Sequence, residues 1–231
     1  MTILFPTPKA AFWQGVQTIA PILFGVAPFG LVVGVFAGGI ELTVGQTIGQ
    51  AMLVYAGAAQ LVMLDLFDQG AAIWVIILST AMLNLRYVIY SASIAPYYKP
   101  LSPLWRLLLA LVMVDQVYAF CQALFSEHPE TTHKQWYHLG LAIPIAIVWF
   151  IATLVGYYLG AVIPESWSLN FVVPLMFLAF VVPAIKDWSY FAAAVTAAFV
   201  AVATTDLPNN LGLIAATLAG ITVGFVLGGQ E

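Results

Sequence analysis

From Phe12 onward the chain is a succession of apolar runs, each close to the length that a helix needs to cross a bilayer core, about 20 residues. Eight such runs follow one another, at roughly 12–39, 43–67, 71–97, 104–126, 138–163, 168–185, 188–205 and 210–229. The breaks between them are short and polar or carry proline and glycine: GGIEL, DLFDQG, YYKPLSPLWR, SEHPETTHKQWYH, PESWS, KD and DLPNN. No water-soluble core could hide runs of this number. The chain is 63% hydrophobic and only 7% charged, where soluble domains carry about 25% charged residues. These features predict an all-α, polytopic helical membrane protein with about six to eight hydrophobic segments, its main partner the lipid bilayer.

Several classes drop out early. The net charge is −4 and there is no basic run, so no nucleic-acid partner is expected. A single cysteine, Cys121, leaves no internal disulfide and no cysteine cluster for a metal; it reads as a buried packing residue. The start, MTILFPTPKAAFWQG, lacks the features of a cleaved leader, so an uncleaved first segment is expected. His128, His133 and His138 recur every five residues in the polar stretch after segment four. Pro129 speaks against a helix that would align them, and no metal or other cofactor is expected. There is no G-x-S-x-G, no H-E-x-x-H and no phosphate-binding loop. No histidine is expected at membrane depth, and Asp115 is the single acid placed near a segment centre. An intramembrane enzyme therefore lacks its constellation.

The longest polar break, Ser126 to His138, divides one transmembrane domain, residues 1–231, into halves 10–127 and 137–230. Segments one (PILFGVAPFGLVVG) and five (GLAIPIAIVWFIATLVG) share proline and glycine mid-run, as transporter repeats do. Helix breaks are expected at Pro28, Gly30 and Pro174. If segments two and six are half-helices that enter and return, Lys9, Lys99, Arg106 and Lys186 all face the cytoplasm, in keeping with the excess of Lys and Arg in cytoplasmic loops. Glu127, Glu130 and Asp206 then face out, with Lys134 the exception. Three crossings per half would make the halves inverted repeats. Trp13, Trp105, Trp136, Trp167 and Trp188 lie near segment ends, as an interfacial belt does, whereas Trp74 and Trp149 lie deeper and are expected to pack.

Two charges stand near segment centres. Arg86 lies within STAMLNLRYVIYSASIAPYY and Asp115 within LLLALVMVDQVYAF. Each costs about 2.5–3.5 kcal/mol at such a depth on insertion scales. Their segments are consecutive and joined by a short loop, so an Arg86–Asp115 ion pair is expected. As a static pair it would fix helix packing. As a functional pair, Arg86 would grip a carboxylate with its planar fork, and Asp115 would hold an ammonium or exchange a proton. Asn84, Gln116 and Gln60 would complete a neutral lining. In segment two, VYAGAAQ puts Tyr55, Ala56, Gly57 and Gln60 inside an apolar run. Small residues there admit another backbone or a ligand, and Gly57 tolerates a positive φ. A helix-packing seam accounts for the same residues equally well.

At these residues the sequence resembles the AzlC/YgaZ family of branched-chain amino acid permeases. The matching stretches are PFGLVVG (28–34), VYAGAAQ (54–60), LNLRYVIYSASI (83–94), VDQVYAF (114–120) and FVVPLMFLAF (171–180). The resemblance implies an inner-membrane exporter of valine, leucine, isoleucine and related apolar amino acids. It also implies a small membrane partner of the AzlD/YgaH type, with this chain as the large subunit. The chain departs from some members in having Gln116 in place of an acid and Tyr87 in place of a histidine. Three other readings stand beside this one: a transporter of a different small solute, a non-transporting scaffold subunit in which the charges lock helices, and the disfavoured enzyme.

Overall fold

Apolar residues on every face of the first run turn it into one helix, α1 (Pro8–Gly39). The Thr7 hydroxyl accepts from the Ala10 N–H, and Pro8 fills the first turn, where its missing N–H costs nothing. The computed structural model describes residues 5–160, 185, 187–205, 207 and 211–228, and Pro174, an expected helix break, lies outside them. α1 runs through Pro21, Pro28 and Gly30 without interruption, which corrects the breaks expected at Pro28 and Gly30. A proline removes one intrahelical hydrogen bond, too little to end a helix held along its length by a neighbour. α1 stops where Leu42 N–H bonds Ala37 O (3.1 Å) and Glu41 N–H bonds Gly38 O (3.3 Å), with Glu41 at φ 58°. This is a left-handed cap of the Schellman type.

The helices that follow are α2 (Val44–Val54), α3 (Gly57–Asp68), α4 (Ile73–Asn84), α5 (Arg86–Tyr98), α6 (Pro103–Leu111), α7 (Asp115–Glu127), α8 (Lys134–Gly160), α9 (Trp188–Ala203) and α10 (Leu211–Gly228). No strand occurs among the described residues. Pro8–Gly39, Ile73–Tyr98, Lys134–Gly160 and Leu211–Gly228 are long and apolar enough to cross a membrane, and Trp188–Ala203 is a shorter apolar helix. Phe24, Leu53, Phe199 and Phe225 are strongly exposed, as lipid-facing side chains are. Trp149 is buried as expected, whereas Trp74 is 51% exposed at the start of α4.

The chain forms two compact units that interleave in sequence. The first comprises Met1–Gly57 with Asn84–Val162 and the second Ala58–Leu83 with Ile163–Glu231, a division different from halves 10–127 and 137–230. In the first unit α1 and α8 pack along their whole length on small residues. A Cβ on Gly15 would strike Tyr137 O and Gly140, one on Gly34 would strike Thr153 O and Gly156, one on Gly156 would strike Leu31 O, and one on Gly160 would strike Val35 O. Without a hydrophobic force between helices in lipid, such backbone contact is what holds them together. The contacts advance together along both helices, so α1 and α8 are parallel. These are the segments whose proline and glycine placement suggested repeats; the inverted relation expected from three crossings per half would make such a pair antiparallel.

The same unit contains a hairpin of half-helices. Tyr90 meets Asp115 and Tyr118, Ser93 meets Tyr118 and Gln122, and Tyr98 meets Cys121 and Phe125. These contacts also advance together, so α5 and α7 are parallel. Four residues separate α5 from α6, with Trp105 against Trp136 (5.5 Å) near the start of α8. α6 therefore leads inward, turns at Val112–Val114, and α7 leads back out beside α5. Segment four enters and returns. Its loop ends, at Leu101 and His128, share one end of the unit with Phe5, whose carbonyl accepts from Thr132 Oγ1 (2.9 Å). Lys9, Lys99, Arg106 and Lys134 gather at that end, and by their charge it is the cytoplasmic one. Glu127 and Glu130 lie there too, which corrects the outward placement expected for them and removes Lys134 as an exception.

In the second unit, α9 and α10 pack antiparallel through small residues. Gly212 lies against Thr204, Gly220 against Ala193 and Ala197, and Gly224 against Ala193. Between α3 and α4, Gly70 takes φ +68°, with Ala71 N–H bonded to Leu66 O and Gly70 N–H to Phe67 O, a second Schellman cap. A small cavity between α3, α4 and α10 is lined by Val62, Ser79, Met82, Leu213 and Thr217.

Replacing Gly34 or Gly156 by Leu wedges α1 from α8 and costs about 3 kcal/mol. Thermal unfolding in detergent reads this as a lowered midpoint. Gly25→Leu is the control, because nothing lies within 4 Å of a Cβ there, and its midpoint stays at that of the parent.

Candidate functional site

Arg86 and Asp115 each open a half-helix, α5 and α7 respectively. Because those helices are parallel, the N-terminus of α7 lies beside the first turn of α5, and the orphan N–H groups and dipole of α7 favour negative charge there. Asp115 suits its place in that first turn, and Arg86 Nη1 lies 3.2 Å from Asp115 Oδ2. The Tyr90 hydroxyl donates to Asp115 Oδ1 at 2.9 Å, so both carboxylate oxygens are engaged. The ion pair expected from the sequence is therefore present, and it is not sealed: the two side chains are 33% and 39% exposed.

Aromatic rings surround the pair. Tyr90 stacks on Tyr118 with centroids 4.1 Å apart, Tyr87 meets Tyr90 edge-on, and the guanidinium lies 5.3 Å from the Tyr87 ring centroid. Further along α5, Ser93 Oγ accepts from Tyr118 (3.2 Å) and donates to Gln122 Oε1 (3.3 Å). Arg86, Tyr90 and Ser93 sit at helical spacing on one face, opposite Asp115, Tyr118 and Gln122. A polar seam thus lies between two half-helices inside an apolar unit. Asn84 Oδ1, two residues ahead of Arg86, and Arg86 Nε are buried without a hydrogen-bond partner, which leaves polar capacity at the site. Gln116 is half-buried beside Asp115.

Segment two breaks where VYAGAAQ predicted an opening. α2, started by a Thr43–Gln46 capping box, ends at Tyr55, which takes the left-handed φ 37°, ψ 42°. That conformation costs a non-glycine residue about 1–2 kcal/mol. The Tyr55 ring stacks on Phe150 of α8 (6.1 Å), and its hydroxyl is buried without a partner. Ala56 is buried. A Cβ on Gly57 would press on the rings of Phe29 and Trp149, so the protein's own aromatic side chains occupy the space that this glycine leaves. Gln60 is fully buried, with both amide atoms unpartnered, and belongs to the second unit.

The sequence reading missed Tyr90, Tyr118, Ser93 and Gln122. Their signal was present as the recurrence of Tyr90 and Ser93 at four and seven residues after Arg86, one face of a helix. It also placed His138 in a loop. α8 begins at Lys134, so His138 is in its second turn and fully buried.

A family model described as AzlC protein matches residues 21–163. The inner membrane protein YgaZ of Escherichia coli (strain K12) is 24% identical over 236 residues, covering 95% of this chain and 92% of that protein. An uncharacterized membrane protein of Archaeoglobus fulgidus is 28% identical over 219 residues, covering 92% of this chain and 93% of its own length. No solved structure matches the chain significantly.

Removing one partner of the central pair strands a charge in a low-dielectric setting. Arg86→Met and Asp115→Asn are each expected to lower stability by about 2 kcal/mol, and the double variant to recover at least half of the summed loss. Thermal unfolding of the four proteins measures the coupling, and strictly additive losses would show that the two side chains do not interact.

Proposed function

Because the chain belongs to the AzlC protein family, we propose that it is a secondary membrane transporter that exports branched-chain amino acids such as valine, leucine and isoleucine across the cytoplasmic (inner) membrane. Its work is transport and not catalysis. The observation that carries the reading is the Arg86–Asp115 pair where the N-terminus of the half-helix α7 meets α5. Intramembrane charges of this kind mark substrate paths, and broken helices whose N-termini point at an anionic substrate group are a recurring transporter device.

The chemistry suits a zwitterion. An amino acid carries a carboxylate and an ammonium a few ångströms apart. Inserted between Arg86 and Asp115, it exchanges one ion pair for two. Its carboxylate meets the guanidinium fork and the N-terminus of α7, and its ammonium meets Asp115 with Gln116 alongside. A solute of single charge would satisfy one partner and strand the other. The rings of Tyr87, Tyr90 and Tyr118 offer an apolar wall for an aliphatic side chain. Tyr55, Ala56 and Gly57 border the path at the break in segment two, and Asn84 contributes a hydrogen bond. A small membrane subunit of the AzlD type completes the transporter, a partner suggested by the family resemblance.

Efflux of labelled leucine from preloaded vesicles tests the reading, with and without the small subunit and under an imposed pH gradient. Gradient-dependent efflux is expected, strongest with the partner. Arg86→Lys, which keeps the charge and loses the fork, is expected to cut the rate at least tenfold while the protein stays inserted. No efflux from correctly inserted protein, with or without the partner, would overturn the branched-chain reading.

A further inference from the structure

A second ionisable cluster lies at the other end of the polar seam, about 18 Å along α5 from Arg86 at 1.5 Å per residue. Tyr98 of α5, Cys121 of α7 and His138 of α8 meet there, with relative exposures of 4%, 0% and 0%. The Tyr98 hydroxyl is 2.7 Å from His138 Nδ1 and 3.8 Å from Cys121 Sγ, and Cys121 Sγ is 3.8 Å from His138 Nδ1. His138 Nε2 makes no well-aligned hydrogen bond, and the Leu109 backbone lies beside the ring. Leu109 is in the last turn of α6, whose final carbonyls have no intrahelical donor and favour a cation.

We propose that His138 is a proton-binding site of the transport cycle, separate from Asp115, with the Tyr98 hydroxyl as its switch and the Cys121 thiol as that hydroxyl's second acceptor. With neutral imidazole, Tyr98 O–H donates to Nδ1 and the ring proton sits on Nε2, facing the C-terminus of α6. When a proton from water binds Nδ1, the new N–H donates to the Tyr98 oxygen. The Tyr98 O–H then turns to Cys121 Sγ. Each state keeps the hydroxyl and Nδ1 paired, and the proton returns to water when the sequence reverses, with no other bond made or broken. A packing histidine needs one such arrangement; this pocket supplies two.

Among the described residues the only ion pair is Arg86–Asp115, so no carboxylate fixes the imidazole in its charged form. The ionisable groups on the packed elements are few. α1 carries Lys9; α6 carries Arg106; α5 carries Arg86, Tyr87, Tyr90 and Tyr97 besides Tyr98; α7 carries Asp115, Tyr118 and Glu127 besides Cys121. On α8, Tyr137 adjoins His138, Tyr157 and Tyr158 lie near the far end, and Lys134, one turn earlier, donates to the carbonyls of Pro129 (2.6 Å) and Thr131 (2.9 Å). Ser93, with Tyr118 and Gln122, lies between this cluster and Asp115, so both sites share the packing of α5 on α7.

The inference rests on the transporter reading, and the test separates the two. In vesicles holding the full chain, leucine counterflow at equal pH is compared with efflux driven by a pH gradient. His138→Gln is expected to keep counterflow within about threefold of the parent and to lose at least tenfold of gradient-driven efflux. Tyr98→Phe, which keeps the ring and removes the switch, is expected to shift the pH dependence of efflux while keeping counterflow. Unchanged gradient-driven efflux in His138→Gln overturns the proposal. So does equal loss of both modes in His138→Gln together with a parental pH dependence in Tyr98→Phe. If the parent shows no leucine counterflow, the branched-chain reading has failed and the proton site is judged alone. Nitrogen NMR of the histidine-labelled, reconstituted chain then decides. A titrating imidazole signal that His138→Gln abolishes and Tyr98→Phe shifts supports the site, and a signal locked in one form across mildly acid and mildly alkaline buffer contradicts it.

Discussion

Lipid supplies no hydrogen bonds, so every interruption of a helix at membrane depth must be satisfied by protein or by a watery cavity. The chain carries interruptions of this kind at Tyr55–Ala56 and at Val112–Val114. The second brings the N-terminus of α7 against α5, and the Arg86–Asp115 pair with Tyr90 stands where they meet. The rest of the first unit follows from holding that arrangement in place. The α1–α8 seam provides a rigid wall, because its glycines allow backbone to touch backbone. Against α8 lie the tip of α2, through Tyr55 on Phe150, and the outer end of α7, through Cys121 and Phe125.

Sequence periodicity made the all-helical, membrane-crossing class legible, because runs of about 20 apolar residues have one common explanation. The central pair was legible too. Two charges among so few, each mid-run and on consecutive segments, leave little choice of partner. The break in segment two was readable from VYAGAAQ, although the space beside Gly57 is filled by Phe29 and Trp149.

Other features were hidden for physical reasons. Pro21 and Pro28 look like breakers, yet α1 runs through them, since the packing against α8 outweighs single lost hydrogen bonds. The break at Val112–Val114 carries no proline or glycine at all. It is a tertiary event, fixed by Asp115 reaching Arg86, and local propensity is silent about it. Segment four was long enough to cross and was read as crossing; only the parallel contacts of α5 with α7 reveal its return. His138 was read with the loop before it, because a histidine so close to Pro129 and Lys134 looks solvated until α8 and its neighbours are seen to enclose it.

The account's central claim is that α6 and α7 enter and leave by one face, which is what brings Asp115 to Arg86. Single cysteines at Lys99, Glu130 and Glu41, probed with a membrane-impermeant thiol reagent in sealed vesicles of known orientation, test it most directly, since the native Cys121 is fully buried. Labelling of positions 99 and 130 from the same, cytoplasmic side, with position 41 labelled from the other, is the expected result. Labelling of 99 and 130 from opposite sides would mean that segment four crosses the membrane, and the hairpin that builds the site would not exist.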